Sequence, residues 1–187
     1  GDVTTTNDAV SYIGAVTLTG ATAINTGGGV GTVRFSATVD GGQNLTITAG
    51  TGNIDFDGIV GGTTDLAAIS IVSAGNTVAD AAISAASLAQ TAGTATTLSG
   101  LVTTSGVVTM AATNFVLPAA GDITAGDAVS LTGTISTAGD VTTTNDAVSY
   151  IGAVTLAGAT AINTAAGAGT VRFSATVDGG ANLTITA

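Results

Sequence analysis

Histidine, cysteine, lysine, glutamate and tryptophan are all absent from the 187 residues. A chain without them lacks nearly every common general base, the thiol nucleophile and the soft metal ligands. The sequence is therefore not expected to encode an enzyme, and no catalytic residue or organic cofactor is assigned. The missing cysteine also excludes a disulfide framework. Positive charge is almost missing as well. Two arginines stand against twelve aspartates, a net charge of −10, which leaves no footprint for nucleic acid or an anionic membrane surface. Serine, threonine or glycine interrupts every apolar run short of the ~18 residues of a membrane span, so no membrane insertion is expected. Aromatics make up 3% of the chain and proline occurs once, at Pro118. The charged fraction is only 7% and mean hydropathy is +0.60. Disorder, which needs low hydrophobicity and high charge, is excluded on those numbers.

What is abundant is small and β-tolerant. Threonine (37), alanine (35) and glycine (28) account for 100 residues. They are arranged in a long repeat. Residues 139–187 restate residues 1–49 at an offset of 138, with 44 of 49 positions identical; Thr19, Gly27, Gly28, Val30 and Gln43 become Ala157, Ala165, Ala166, Ala168 and Ala181. The expected organisation is one full unit over 1–138 and the start of the next over 139–187. Because the chain opens at Gly1 without Met and stops in mid-pattern, it reads as a stretch of a longer repetitive protein.

A shorter, degenerate period runs inside the unit. GDITAGDAVSLTGTISTA (121–138) and GDVTTTNDAVSYIGAVTLA (139–157) follow one template. Counting such segments gives roughly 20 residues each and about seven to the unit, the period of a solenoid whose coils cover one another. Val33, Phe35, Ala37 and Val39 alternate with Thr32, Arg34, Ser36 and Thr38, and Leu45, Ile47 and Ala49 with Asn44, Thr46 and Thr48. That period of two predicts short strands, which pairs such as Asn7-Asp8 and Gly61-Gly62 punctuate as turns. Residues 77–91 carry enough alanine for a helix on propensity, but Ile83 and Leu88 fit a helical stripe poorly, and strands are preferred. Pro118 is expected at a strand end or corner.

The fold expected is all-β, a right-handed parallel β-solenoid (β-helix) of about nine to ten turns, the hand following parallel crossovers. At about 4.8 Å per coil, seven coils would advance about 34 Å.

GTVRFSATVDGGQNLTITAGTGNIDFDGIVGGTTDLAAISI, followed by ISAASLAQTAGTATTLSGLVTTSG, is similar to the giant β-strand-repeat proteins secreted by Gram-negative bacteria, which include the filamentous-haemagglutinin-like exoproteins. The resemblance implies an extracellular or cell-surface structural shaft used in fibre formation, adhesion or a biofilm matrix. Shaft repeats have no active-site motif, so no functional residue is carried over. The expected partners are further copies, end to end or laterally, with surface glycans as a candidate ligand.

Asp55 and Asp57 are the acidic pair most suited to chemistry, lying about 6.5–7 Å apart along one strand face. Paired carboxylates serve glycoside hydrolysis, but only Arg34 and Arg172 are available to hold a sugar acid, and a solvated strand face is the plainer reading. A calcium site is the stronger alternative, because Asp2, Asp8, Asp40, Asp55, Asp57, Asp65 and Asp80 lie in or near turns. No nonapeptide calcium array or EF-hand loop is present. Thr-x-Thr pairs, such as Thr4/Thr6, Thr17/Thr19 and Thr46/Thr48, raise ice binding, which would need the pair in nearly every turn. Asn44 and Asn182 match the N-glycosylation pattern and are read as ordinary residues at strand starts. Arg34 and Arg172 are expected to pair with a nearby carboxylate.

Overall fold

The computed structural model describes residues 1–165 and 167–187. Ala166, one of the five positions at which the two copies differ, lies outside the described residues. No helix occurs among those described, and all the strand pairings are parallel. The chain winds as a β-solenoid of about nine coils with about 21 residues in each.

Three ladders run the length of the rod, and each coil contributes one rung to each. The first ladder carries Val3, Ile24, Ile47 and Ile71 in register, then Gln90, Met110, Leu131, Tyr150 and Phe173. The second begins Val10, Val33, Ile54 and Thr77 and continues through Thr96, Phe115, Ile135, Val154 and Val177. The third is Val16, Val39, Val60, Ile83, Val102, Ile123, Val141, Ile162 and Ile185. Every residue in that third column is valine or isoleucine. Their branched Cβ atoms suit a pleated surface, and a column of like shapes packs without voids as coil is laid on coil.

The alternation read from sequence sorts the side chains. Val33 and Phe35 are buried and Arg34 exposed; Leu45 and Ile47 are buried while Thr46 and Thr48 are half-buried. Aromatic rings stack the same way: Tyr12 on Phe35 at 5.0 Å and Phe35 on Phe56 at 5.3 Å, each pair within 4° of parallel. Offset stacking at this separation adds about 0.5–1.5 kcal/mol beyond the area buried. Within residues 77–91 the chain is strand at the end of Leu66–Ala79 and in Ile83–Gln90, with a corner between them and no helix. Several strands are longer than expected, because Leu66–Ala79, Val108–Leu117 and Val129–Thr137 bend through a corner and serve two ladders. Pro118 follows Leu117 at a corner closed by the Gly121 N–H on the Pro118 carbonyl at 2.8 Å. At another corner Gly133 and Gly152 take φ of 134° and 138° in successive coils, against the carbonyls of Ala112 and Gly133 respectively. A Cβ at either position would run into that backbone.

The two segments with one template, 121–138 and 139–157, are neighbours in space. Ile123 lies on Val141, Val129 on Val148 and Ile135 on Val154. The short period of the sequence is thus one coil of the structure.

Candidate functional site

The only ion pair among the described residues lies on the outer side of the second ladder. The strand Val33–Phe35 turns Phe35 inward and Arg34 outward, and Ile54–Phe56 one coil on does the same with Asp55. Arg34 Nε and Nη2 both donate to Asp57 Oδ2, at 2.8 and 2.6 Å. Arg34 and Asp57 lie 23 residues apart, one coil, so the carboxylate that the sequence left unspecified is Asp57. The pair is solvent-facing, with side chains 55% and 28% exposed, and such pairs contribute little to stability.

Asp55 stands in register with Arg34 and is half-buried. Loss of water pushes its carboxyl up from the ordinary value, Asp57 and Asp80 push the same way, and Arg34 opposes them. The folded chain therefore holds this proton more tightly than the unfolded one, and Asp55 adds stability as the pH falls through the range just above 3.8. Asp57 and Asp80 leave their strands at equivalent places in successive coils, one position beyond Phe56 and Ala79. The strip thus holds three carboxylates and one guanidinium, and among the described residues no three acidic groups converge as a ligand set.

Four of the other aspartates have visible structural work. Asp2 Oδ1 accepts the Ala23 N–H at 2.8 Å, and Asp140, its equivalent in the second copy, accepts that of Ala161 at 2.7 Å. Asp40 Oδ1 accepts from Thr63 and Thr64, and Asp122 Oδ1 from the Asp140 N–H. Asparagines act alike: Asn44 Oδ1 takes the Ala68 N–H and Asn53 Oδ1 that of Asn76. These oxygens complete the ladder at solvent-facing places where the backbone of the adjacent coil turns away. Sequence reasoning placed these residues in turns but missed their reach from one coil to the next, for which the signal was the recurring spacing of 18 to 24 residues.

The remaining candidates disperse. Thr46 and Thr48 have Ala23 and Asn25 on one side and Ser70 and Ser73 on the other, so Thr-x-Thr does not stack on Thr-x-Thr. Asn44, in the glycosylation pattern, is committed to its neighbouring coil.

One feature of the interior was not read from sequence. Gln90 is 2% exposed, and its Nε2 donates to Thr96 Oγ1 at 2.8 Å and to the Ala111 carbonyl at 3.3 Å. Its Oε1, like Thr77 Oγ1 and Tyr150 Oη, has no partner. No family model, no curated protein and no solved structure matches the chain.

Proposed function

We propose that this chain is a stretch of the structural shaft of an extracellular filament or giant cell-surface or matrix protein. The observation that carries the reading is the seam between the two sequence copies. Around residue 138 the coil lattice runs on without a break: the Ala138 N–H reaches the Leu117 carbonyl at 2.7 Å and the Ile123 N–H the Asp140 carbonyl at 2.8 Å. Val129–Thr137 on the near side pairs with Val148–Ile151 and Val154–Leu156 on the far side. Units that join inside a shared hydrogen-bond lattice make one rod rather than beads on a string. A threonine-, alanine- and glycine-rich surface without His, Cys, Lys or Glu supplies little for catalysis and suits a surface whose task is mechanical. The likeness of its sequence to secreted β-strand-repeat proteins supports the same reading, a rod on the outside of a Gram-negative cell in adhesion or matrix formation.

Electron cryomicroscopy of the native material tests the reading. Filaments with a layer line near 4.8 Å along their axis are expected. Compact particles without it would overturn the shaft and leave a discrete module binding calcium or a glycan.

A further inference from the structure

The sequence repeat and the coil are out of step. Val3 is the first rung of the first ladder, but its counterpart Val141 lies in the third ladder of the seventh coil. Val10 in the second ladder corresponds to Val148 in the first, and Val16 in the third to Val154 in the second. The displacement is the same throughout the copied segment. A unit of 138 residues therefore spans six and two-thirds coils, close to the expected seven but not a whole number.

We infer that successive 138-residue units are rotated by a third of a turn, so that each surface feature of the unit recurs on all three ladders in rotation. For units beyond the two copies in this chain, the inference rests on the shaft reading. At about 4.8 Å per coil the unit advances about 32 Å, and a feature returns to its own side of the rod after three units, about 96 Å. The coil permits this because a segment keeps its local structure on whichever ladder it falls. Thr5 Oγ1 bonds the Asp8 carbonyl at 2.7 Å and Thr143 Oγ1 that of Asp146 at 2.6 Å. Asn25 Oδ1 accepts the Gly27 N–H and Asn163 Oδ1 that of Ala165, at 2.8 and 2.9 Å.

The rotation has a functional content. Each 138-residue unit carries nine aspartates and one arginine, and with whole coils per unit each carboxylate would recur along a single edge. With a third-turn step the charge spreads evenly round the rod. The strip of Arg34, Asp55, Asp57 and Asp80 then faces three directions in turn. A shaft of this kind has no blank side, and neighbouring shafts or a polyvalent surface meet the same groups from any approach.

Two measurements test it. In the 187-residue chain, cysteine pairs at Val78/Thr97, Thr97/Val116 and Val116/Ser136 join successive coils of the second ladder, at Cα separations of about 4.8 Å that a disulfide can span. All three are expected to oxidise to intramolecular disulfides, which fixes the number of coils through the middle of the unit. Failure of any pair whose variant still folds by circular dichroism would mean a different count and overturn the rotation. In a chain of six consecutive units carrying Ser11→Cys labelled with maleimide gold, particles are expected in three rows. Neighbours would be about 32 Å apart along the rod, and members of one row about 96 Å. A single row of gold along one side would also overturn it. Crosslinks that form in a protein whose native material shows no filament would leave the rotation standing and remove the shaft.

Discussion

Residues 33–47 and 171–185 have the same sequence apart from the Gln43/Ala181 exchange, yet only one of them is core. Val33, Phe35, Val39, Leu45 and Ile47 are at most 1% exposed, while Val177 and Ile185 are 37% and 46% exposed and Phe173 is half-buried. At the other side of the copies the relation reverses. Val148 and Tyr150 are fully buried, and their counterparts Val10 and Tyr12 are only half-buried. Hydrogen bonds within each copy are nearly the same; what differs is the coil above or below. In this rod burial is conferred by the neighbour. A residue's alternation says which way it points, and the stack decides how much water it loses.

The sharpest way to break that comparison is to remove one ring from each copy. Phe35→Ala takes a ring from between Tyr12 and Phe56 and should cost about 3–5 kcal/mol. Phe173→Ala removes a ring stacked on Tyr150 alone, at 5.1 Å, and should cost about 1–2 kcal/mol. Chemical denaturation of both variants measures the difference, and equal losses would mean that stacking from the second side contributes nothing.

Next in size is the tyrosine pair. Tyr150 Oη is buried without a partner, so Tyr150→Phe should stabilise the chain by about 1–2 kcal/mol, whereas Tyr12→Phe should be close to neutral. Burial, helped by Asp140, also raises the Tyr150 phenol far above its ordinary value. The unfolded chain then loses that proton first, from a pH of about 10. Stability should be intact below that pH and decline above it. Tyr150→Phe should flatten most of the decline in an alkaline melting series, and Tyr12→Phe much less of it.

A smaller effect separates the turns. Gly27 has φ of 83°, and Ala165 in its place in the second copy has φ of 59°. A left-handed alanine is strained by about 1 kcal/mol. Ala165→Gly should therefore raise stability by about 0.5–1 kcal/mol, and Gly27→Ala should lower it by at least as much, because its Cβ would lie 3.1 Å from Asn7 Oδ1. The smallest contrast belongs to the arginines. Arg34→Gln should give a slight loss that disappears in high salt, and Arg172→Gln none; a clear loss from Arg172→Gln would show a partner for it in solution.

Much of this fold was legible. Alternation at Val33–Val39 and Leu45–Ala49 predicted strands, and the shared template of 121–138 and 139–157 predicted the coil that each of them forms. The fractional number of coils was not legible, because rung spacing varies from 18 residues between Ile123 and Val141 to 24 between Ile47 and Ile71. Dividing 138 by an average period cannot separate seven coils from six and two-thirds. Nor could the pattern foresee Gln90 and Thr96 inside. Each occupies an inward place that alternation reserves for an apolar residue, and they meet only because the chain turns a corner between them. At the candidate site, the sequence picked out Asp55 and Asp57 by their spacing along one strand. It gave no partner for Arg34, since that contact depends on the length of one coil.

The direction of the hydrogen bonds has a further consequence. They run along the rod, and each coil is held chiefly by the two beside it. Pulled by its ends, the chain would load these bonds one coil at a time and not all together. Each coil peeled away would free about 21 residues, or about 70 Å of extended chain at ~3.4 Å per residue. A rod so built resists bending through its packed interior and yields to tension in even steps, paying out length while the remaining coils stay folded.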